Sequence, residues 1–161
     1  MNTNNLVVPE ILILARDAYK KGKNVTSVLK NYLQKNYNTP EIIALAYDLQ
    51  AGTYTSYSLN NKVFTSNRAR ELATFVAPYC VDIELVLDLG SGEISMFSRL
   101  LAALKSRNIR KAYASDISWS RLHIGEEATK NIVPKNINLM IQSVIPITSK
   151  IDTYESNEIE A

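Results

Sequence analysis

A short apolar run that breaks at two closely spaced glycines most constrains what this chain can fold into. The run covers residues 85–89 (Leu-Val-Leu-Asp-Leu) and is followed at once by Gly90, Ser91 and Gly92. A nearly continuous run of this length is typical of a strand that is buried on both faces of a parallel sheet. Glycine lets the chain turn sharply after the strand and lets a ligand approach the backbone closely. The stretch therefore predicts a buried strand, a ligand-binding turn and a following helix.

The elements after this turn alternate between helix and strand. Apolar stripes of helical period predict helices over 94–107 and 119–131, and short apolar or alternating runs predict strands over 111–115 and 137–142. Such alternation favours parallel strands joined by right-handed crossovers. We expect an α/β, Rossmann-like, doubly wound and mainly parallel sheet in residues 81–161, incomplete because few strands follow.

Residues 1–80 are predicted to form an N-terminal helical extension that packs on this sheet. Apolar residues recur there with a period near 3.6, and Thr39 and Pro40 supply a cap and a first helical position. The predicted helices cover 9–21, 26–36, 40–51 and 67–79. The polar segment 53–66 is predicted to be a loop. Its Tyr54 and Tyr57 are candidates for a lid over the ligand, although surface packing is the more frequent role of such residues.

Two aspartates stand near the ends of the first two predicted strands. Asp88 lies two residues before Gly90, and Asp116 ends the second strand. A carboxylate beneath the turn repels pyrophosphate but attracts an ammonium group, and a carboxylate after the second strand accepts both hydroxyls of a ribose. Ser95 occupies the third glycine position of the dinucleotide fingerprint. The pattern therefore favours a cationic nucleoside without phosphate over NAD.

These residues resemble a known family. The sequence Asp-Leu-Gly-Ser-Gly at 88–92, with Asp116 ending the next strand, is similar to motif I and the acidic ribose position of class I S-adenosylmethionine-dependent methyltransferases. The resemblance covers about residues 68–157. It implies a methyltransferase that uses S-adenosylmethionine and acts on a small-molecule acceptor, and it identifies neither the acceptor nor a general base.

The resemblance also implies which residues contact the cofactor. Residues 90–92 would line its methionine part, and Asp88 would hold the amino group directly or through water. Asp116 would bind the ribose, and Ile117 would pack against adenine. Glu93 begins the next helix. An interaction of its charge with the positive end of that helix is expected at least as much as contact with a ligand.

The chain departs from the family pattern in three places. Ile94 stands at the third glycine position, and no carboxylate follows the third predicted strand, so that Gln142 or Ser143 would have to contact adenine instead. Residues 151–157 resemble the family's fourth strand, and the sequence ends at Ala161, whereas the family's sheet has seven strands. We therefore expect a fragment, a chain completed by a homodimer partner or another chain, or a non-catalytic protein.

Composition narrows the remaining function classes. A net charge of +2 without a clustered basic face argues against nucleic acid, and no apolar run is long enough for a membrane span. The single cysteine, Cys80, and the absence of a signal peptide favour the cytoplasm. The single histidine, His123, argues against a His-based metal site. Besides a methyltransferase, two alternatives stay open: a non-catalytic cofactor-binding or subunit-pairing chain, and a nicotinamide-dependent oxidoreductase.

Overall fold

The structure is a computed structural model, and it describes residues 8–105 and 108–144. The described α-helices are α1 (Val8–Lys20), α2 (Val25–Tyr32), α3 (Pro40–Asp48), α4 (Thr53–Asn60), α5 (Lys62–Val76), α6 (Ser95–Leu104) and α7 (Trp119–Thr129). The described strands are β1 (Leu85–Leu89), β2 (Lys111–Asp116) and β3 (Asn138–Ser143). None of these helices is long and apolar enough to cross a bilayer. The predicted fourth strand at 151–157 lies outside the described residues.

The three strands form one open parallel sheet in the order β1-β2-β3. Leu87 stands opposite Tyr113, and Tyr113 stands opposite Met140, so the strands are in register over most of their length. Helix α6 connects β1 to β2, and α7 connects β2 to β3. The predicted α/β class, with strands and helices alternating after residue 84, is therefore confirmed, and the observed ends differ from the predicted ones by a few residues.

One face of the sheet is covered by helices, and we term it the covered face. Side chains alternate between faces along a strand, so the residues in register on this side are Val86 with Ala112 and Leu139, and Asp88 with Ala114 and Ile141. Ala112 and Ala114 are fully buried beneath α6 and α7. The small alanines let these helices approach the sheet, and Leu101 and Leu122 fill the space between them.

The other side of the sheet, termed the exposed face, carries apolar residues that no described helix buries. Leu85, Leu87 and Leu89 are 45%, 55% and 74% exposed, and Tyr113 and Met140 beside them are only partly buried. The prediction that β1 is buried on both faces is therefore wrong for the described residues. Strand β1 is apolar, but its burial on the second face depends on another layer of structure that the strand itself does not supply.

Helices α1 to α3 form a separate apolar cluster around Ala15, Leu29 and Ile42. The predicted start of α3 is confirmed, since the Thr39 hydroxyl accepts from the Ile42 amide at 3.4 Å and Pro40 occupies the first helical position. The start of α2 is capped in the same way by the Asn24 side chain. Satisfied first-turn amides define where these short helices begin.

The predicted loop at 53–66 is wrong, because the segment is helical. Helix α4 fills its first half, and α5 begins at Lys62 rather than at the predicted residue 67. Neither helix has a side-chain cap of its own, and α4 is preceded by Gly52 in the left-handed conformation with φ of 90°. The segment lacks a strong apolar stripe, so its helical state depends on tertiary contacts described below.

Candidate functional site

The turn after β1 has three left-handed backbone positions, alternating with ordinary ones. We term residues 90–94 the glycine corner; its φ angles are 76° at Gly90, 55° at Gly92 and 42° at Ile94. The amides of Gly90 and Ser91 both donate to the Ser115 carbonyl, at 2.8 and 2.9 Å. The corner is therefore fixed to the carboxyl end of β2.

Ile94 occupies a conformation that favours glycine. A left-handed conformation costs a residue with a Cβ about 1–2 kcal/mol, and a β-branched residue adopts it rarely. The side chain of Ile94 is 1% exposed and belongs to the core beneath the covered face. Burial of such a side chain contributes about 1.5–3 kcal/mol, which offsets the strain. Ile94 thus departs from the glycine pattern in its side chain but keeps the backbone conformation that glycine would adopt.

Asp116 is held in a fixed orientation at the end of β2. Its Oδ2 accepts from the Gly92 amide at 2.8 Å, and its Oδ1 accepts from the Ser118 amide at 2.9 Å. Each carboxylate oxygen has two lone pairs, so each retains one acceptor position for a ligand. Ser118 itself caps α7 by accepting from the Arg121 amide at 3.2 Å. Helix capping therefore does not account for Asp116.

Asp88 lies half-buried beneath the corner, close enough to Asp116 to feel its charge. Burial raises the pKa of the Asp88 carboxyl, the negative charge of Asp116 raises this pKa further, and the Ser91 hydroxyl partly offsets both effects. The same hydroxyl donates to the Asp88 carbonyl at 2.8 Å. Two neighbouring carboxyl groups in a partly dry site create a region that favours a cation.

Glu93 joins the corner to the N-terminal helices. Its buried carboxylate accepts from the backbone amides of Gly52 at 3.1 Å and Tyr54 at 3.3 Å, and also from that of Thr55. These amides form the first turn of α4, where a negative charge is favourable. Glu93 was expected to favour the start of its own helix; the structure places its carboxylate at the start of α4 instead.

Helix α7 packs so closely against the corner at position 125 that only glycine fits there. A Cβ at Gly125 would lie 2.2 Å from the Glu93 carbonyl oxygen, which is far inside van der Waals contact. Sequence reasoning missed this glycine, because a glycine within a helix carries no local signal of what packs against it. The close approach brings the first turn of α7 beside the corner.

A cleft of about 410 Å³ opens at the carboxyl ends of β1 and β2. Its walls come from the corner, the end of β2, α3 and α7; the lining residues are Tyr47, Leu89, Gly90, Ser115, Asp116, Ile117, Arg121 and Val144. Three of the predicted cofactor residues, Gly90, Asp116 and Ile117, therefore share one cleft. Ligands of open α/β sheets bind at this edge.

Sequence reasoning missed Tyr47 and Arg121 in this cleft. The guanidinium of Arg121 lies over the Tyr47 ring, 5.1 Å from its centroid. One residue comes from the helical extension and the other from α7, and nothing in their local sequence indicates that they meet. The predicted lid residues Tyr54 and Tyr57 lie on α4, are 40% and 47% exposed, and do not line the cleft.

The other predicted cofactor residues surround the cleft without lining it. Ser91 and Gly92 belong to the corner and Asp88 lies beneath it, in the contacts given above. Gln142 is exposed, and the Ser143 hydroxyl donates to the Ile117 carbonyl at 3.4 Å. Ser143 thereby supports the segment expected to contact adenine.

Two larger cavities, of about 570 Å³ each, lie away from the strand ends. One lies between α5 and α6 beside Arg70, Arg99 and Lys105, and the other is bordered by α1 and α3. Neither contains a residue of the glycine corner. We place the candidate site in the smaller cleft, because it lies at the strand ends and is lined by Gly90, with its positive φ, and by Asp116, whose carboxylate is held by two amides.

His123 and Cys80 have ordinary environments. His123 is exposed, with its ring stacked on Trp119 at a centroid distance of 6.1 Å, and Cys80 is buried in the core. Within 8–105 and 108–144, no group of three or more His, Cys, Asp or Glu side chains is arranged to hold a metal ion.

No protein-family model matches this chain, and neither a curated protein nor a solved structure matches it. The functional assignment therefore depends on the geometry of the cleft.

Proposed function

We propose that the cleft binds S-adenosylmethionine and that the chain serves methyl transfer to a small-molecule acceptor. The parallel sheet would then be the first half of a Rossmann-like, doubly wound domain, with the N-terminal helices as its cap. The observation that carries this proposal is Asp116, which lines the cleft beside Gly90 and whose carboxylate is held by two amides.

The geometry at Asp116 fits a ribose. The two amides fix the plane of the carboxylate, so its two remaining acceptor positions present a preformed pair to the neighbouring hydroxyls of a ribose. Preorganisation removes the entropy cost of orienting the side chain when the ligand binds. Ile117, in the same cleft, supplies an apolar surface for adenine.

Charge supports a cationic ligand in this corner. Asp88 and Asp116 favour a positive group; burial is the main cause of the raised pKa of Asp88, and the negative charge of Asp116 raises it further. The charge of Asp88 also disfavours a pyrophosphate near the corner, which argues against the nicotinamide-dependent alternative. Arg121, however, adds a positive charge that the sequence prediction did not include.

S-Adenosylmethionine supplies a sulfonium methyl group that an acceptor nucleophile attacks in line, leaving a neutral thioether. The residues of this chain would orient the ligand and exclude water from it, and would not themselves react. Asp116 and Ile117 would hold the nucleoside, Asp88 would favour the cationic part, and the corner would allow close approach to the backbone. Positioning of this kind supplies much of the rate enhancement in transfer reactions.

Calorimetry of the full chain with S-adenosylmethionine, S-adenosylhomocysteine and NAD tests the proposal. We expect the two adenosyl ligands to bind more tightly than NAD, and Asp116→Asn to weaken their binding by at least about tenfold through loss of charged hydrogen bonds. Asp82→Asn, which changes an exposed aspartate outside the cleft, is the matched control. Tighter binding of NAD, or an unchanged affinity in Asp116→Asn, would refute the proposal.

A second candidate is a non-catalytic chain that binds the cofactor and pairs with another subunit. The observation that favours it is the exposed face, where Leu85, Leu87 and Leu89 are open to solvent beside an edge of β1 that no described strand pairs with. Sedimentation velocity distinguishes it: self-association that Leu87→Glu abolishes supports pairing between copies, whereas a monomer at every concentration argues against it. A methyl-transfer assay of the same samples reports whether catalysis requires pairing.

A further inference from the structure

The guanidinium of Arg121 occupies a defined place above the glycine corner. A Cβ at Gly92 would lie 2.8 Å from its Nη2 and 3.1 Å from its Cζ, so the absence of a side chain at Gly92 makes room for it. The Tyr47 ring supports the guanidinium through a cation–π contact at 5.1 Å. The missing side chain at Gly92 therefore makes room for the Arg121 guanidinium, and not only for a ligand.

The same guanidinium has hydrogen-bonding capacity that the described residues do not use. Its Nε is buried without a hydrogen-bond partner, and its ion pair with Glu93 Oε1 is long, at 3.8 Å. That carboxylate already accepts three backbone amides of α4, so it is directed elsewhere. A buried donor without a partner is costly, and such groups are normally satisfied by a ligand or water when protein atoms do not satisfy them.

The cleft thus contains opposite charges in fixed positions. Asp116 provides negative charge in the cleft, Asp88 adds negative charge behind it, and Arg121 provides positive charge on α7. A simple cation would gain from the carboxylates and be repelled by the arginine. A zwitterion that carries both an anionic and a cationic group would gain from both.

We propose that Arg121 binds the carboxylate of the amino-acid half of S-adenosylmethionine and thereby selects intact amino-acid-bearing nucleosides. The inference rests on the proposed function and deepens it. The planar guanidinium presents N–H donors in a fork that matches the two oxygens of a carboxylate, which lysine does not. Tyr47 limits the rotation of the side chain, so that less entropy is lost when the carboxylate binds.

Binding by the full chain tests the role of Arg121 through pairs of ligands that differ in the carboxylate. S-Adenosylhomocysteine carries the complete amino-acid half, its decarboxylated amine lacks only the carboxylate, and 5′-methylthioadenosine lacks the whole half. We expect wild type to bind S-adenosylhomocysteine at least about tenfold more tightly than the decarboxylated amine. This comparison needs no variant, so it remains decisive if a variant fails to fold.

Variants then assign the preference to Arg121. Arg121→Met is expected to abolish the preference for the carboxylate while leaving the affinity for 5′-methylthioadenosine within about twofold, and Arg121→Lys to retain part of the preference. Arg99→Met is the matched control, because Arg99 also bridges the helical extension and the sheet domain, through Ser58 and Ser66, but does not line the cleft.

Each outcome separates the two proposals. Equal binding of S-adenosylhomocysteine and its decarboxylated amine by wild type would overturn the role of Arg121 while leaving the proposed function intact. An equal loss for all three ligands in Arg121→Met would make the arginine a structural residue. Failure of wild type to bind any adenosyl ligand, or tighter binding of NAD through its pyrophosphate, would refute the proposed function itself and this inference with it.

Discussion

The two faces of the sheet are built from the same three strands, yet the described helices cover only one of them. On the covered face, Ala112 and Ala114 are fully buried beneath α6 and α7. On the exposed face, β1 presents Leu85, Leu87 and Leu89 to solvent, although leucines are more apolar than alanines. A strand's apolar residues thus indicate a face suited to burial, whereas the surrounding structure determines whether that face is buried.

The covered face also supports the candidate site. Asp88 lies on that side of the sheet, and the next residue of β2 with the same orientation beyond Ala114 is Asp116. The packing of α6 and α7 brings helix starts and backbone amides to these carboxylates. The covered face therefore connects folding to ligand binding, and the following variants test how strictly the two faces differ.

The largest difference is expected from leucines of similar size on opposite faces. Leu122 is fully buried under the covered face, so Leu122→Ala should lower the free energy of unfolding by about 2–5 kcal/mol. Leu87→Ala on the exposed face should lower it by less than about 1 kcal/mol. Urea denaturation measures both. Equal losses of unfolding free energy would contradict the difference between the two faces, because they would mean that another layer covers Leu87 in solution.

A smaller effect is expected where α7 touches the glycine corner. Gly125→Ala introduces a Cβ 2.2 Å from a backbone oxygen, which forces α7 away from the covered face and should cost about 1–3 kcal/mol or more. Gly22→Ala is the control, since no atom lies within 4 Å of its Cβ position and only backbone strain of about 1 kcal/mol is expected. A smaller loss for Gly125→Ala than for Gly22→Ala would contradict the close approach.

A pH dependence is expected from the carboxyl group of Asp88, which lies half-buried on the covered face. Burial raises the pKa of Asp88 in the folded state, so the folded chain holds this proton more tightly than the unfolded chain. Wild type therefore loses stability as pH rises through the interval between the two pKa values. Asp88→Asn lacks this loss, and its stability relative to wild type should increase from about pH 3 to about pH 7.

Urea denaturation at several pH values measures that trend, with Asp82→Asn as the control for loss of one exposed carboxyl group. A relative stability of Asp88→Asn that falls with rising pH would show that Asp88 is stabilised in its charged form. The covered face would then be less dry at its edge than the described packing indicates.

The smallest effect is expected at the most exposed leucine. Leu89 is 74% exposed, and Leu89→Gln should change the free energy of unfolding by no more than about 0.5 kcal/mol. Thermal melts compared with wild type measure it. A loss of several kcal/mol would place Leu89 in a buried contact and would remove the distinction between the faces.

Several features of the fold and site followed from sequence alone. The alternation of β1, α6, β2, α7 and β3 was predictable because apolar runs and helical stripes are local signals. The corner at Gly90 and the position of Asp116 were predictable because glycines and strand ends set local geometry. These features depend on neighbours along the chain.

The rest depended on contacts between distant segments. Helix α4 was missed because its first-turn amides are satisfied by Glu93, far along the chain, rather than by a local cap. Arg121 and Tyr47 were missed because their meeting requires the packing of α3 near α7. Neither periodicity nor a local motif indicates which distant residues the tertiary fold brings into contact.

The contact between Glu93 and α4 has a consequence for how the helical extension can change. Glu93 recognises main-chain amides and no side chain at positions 52, 54 and 55. Side-chain replacements at Tyr54 leave that recognition intact, whereas proline there removes the donor itself. The contact itself therefore sets no requirement on the side chain at position 54, whereas position 52 is still held to glycine by its φ of 90°.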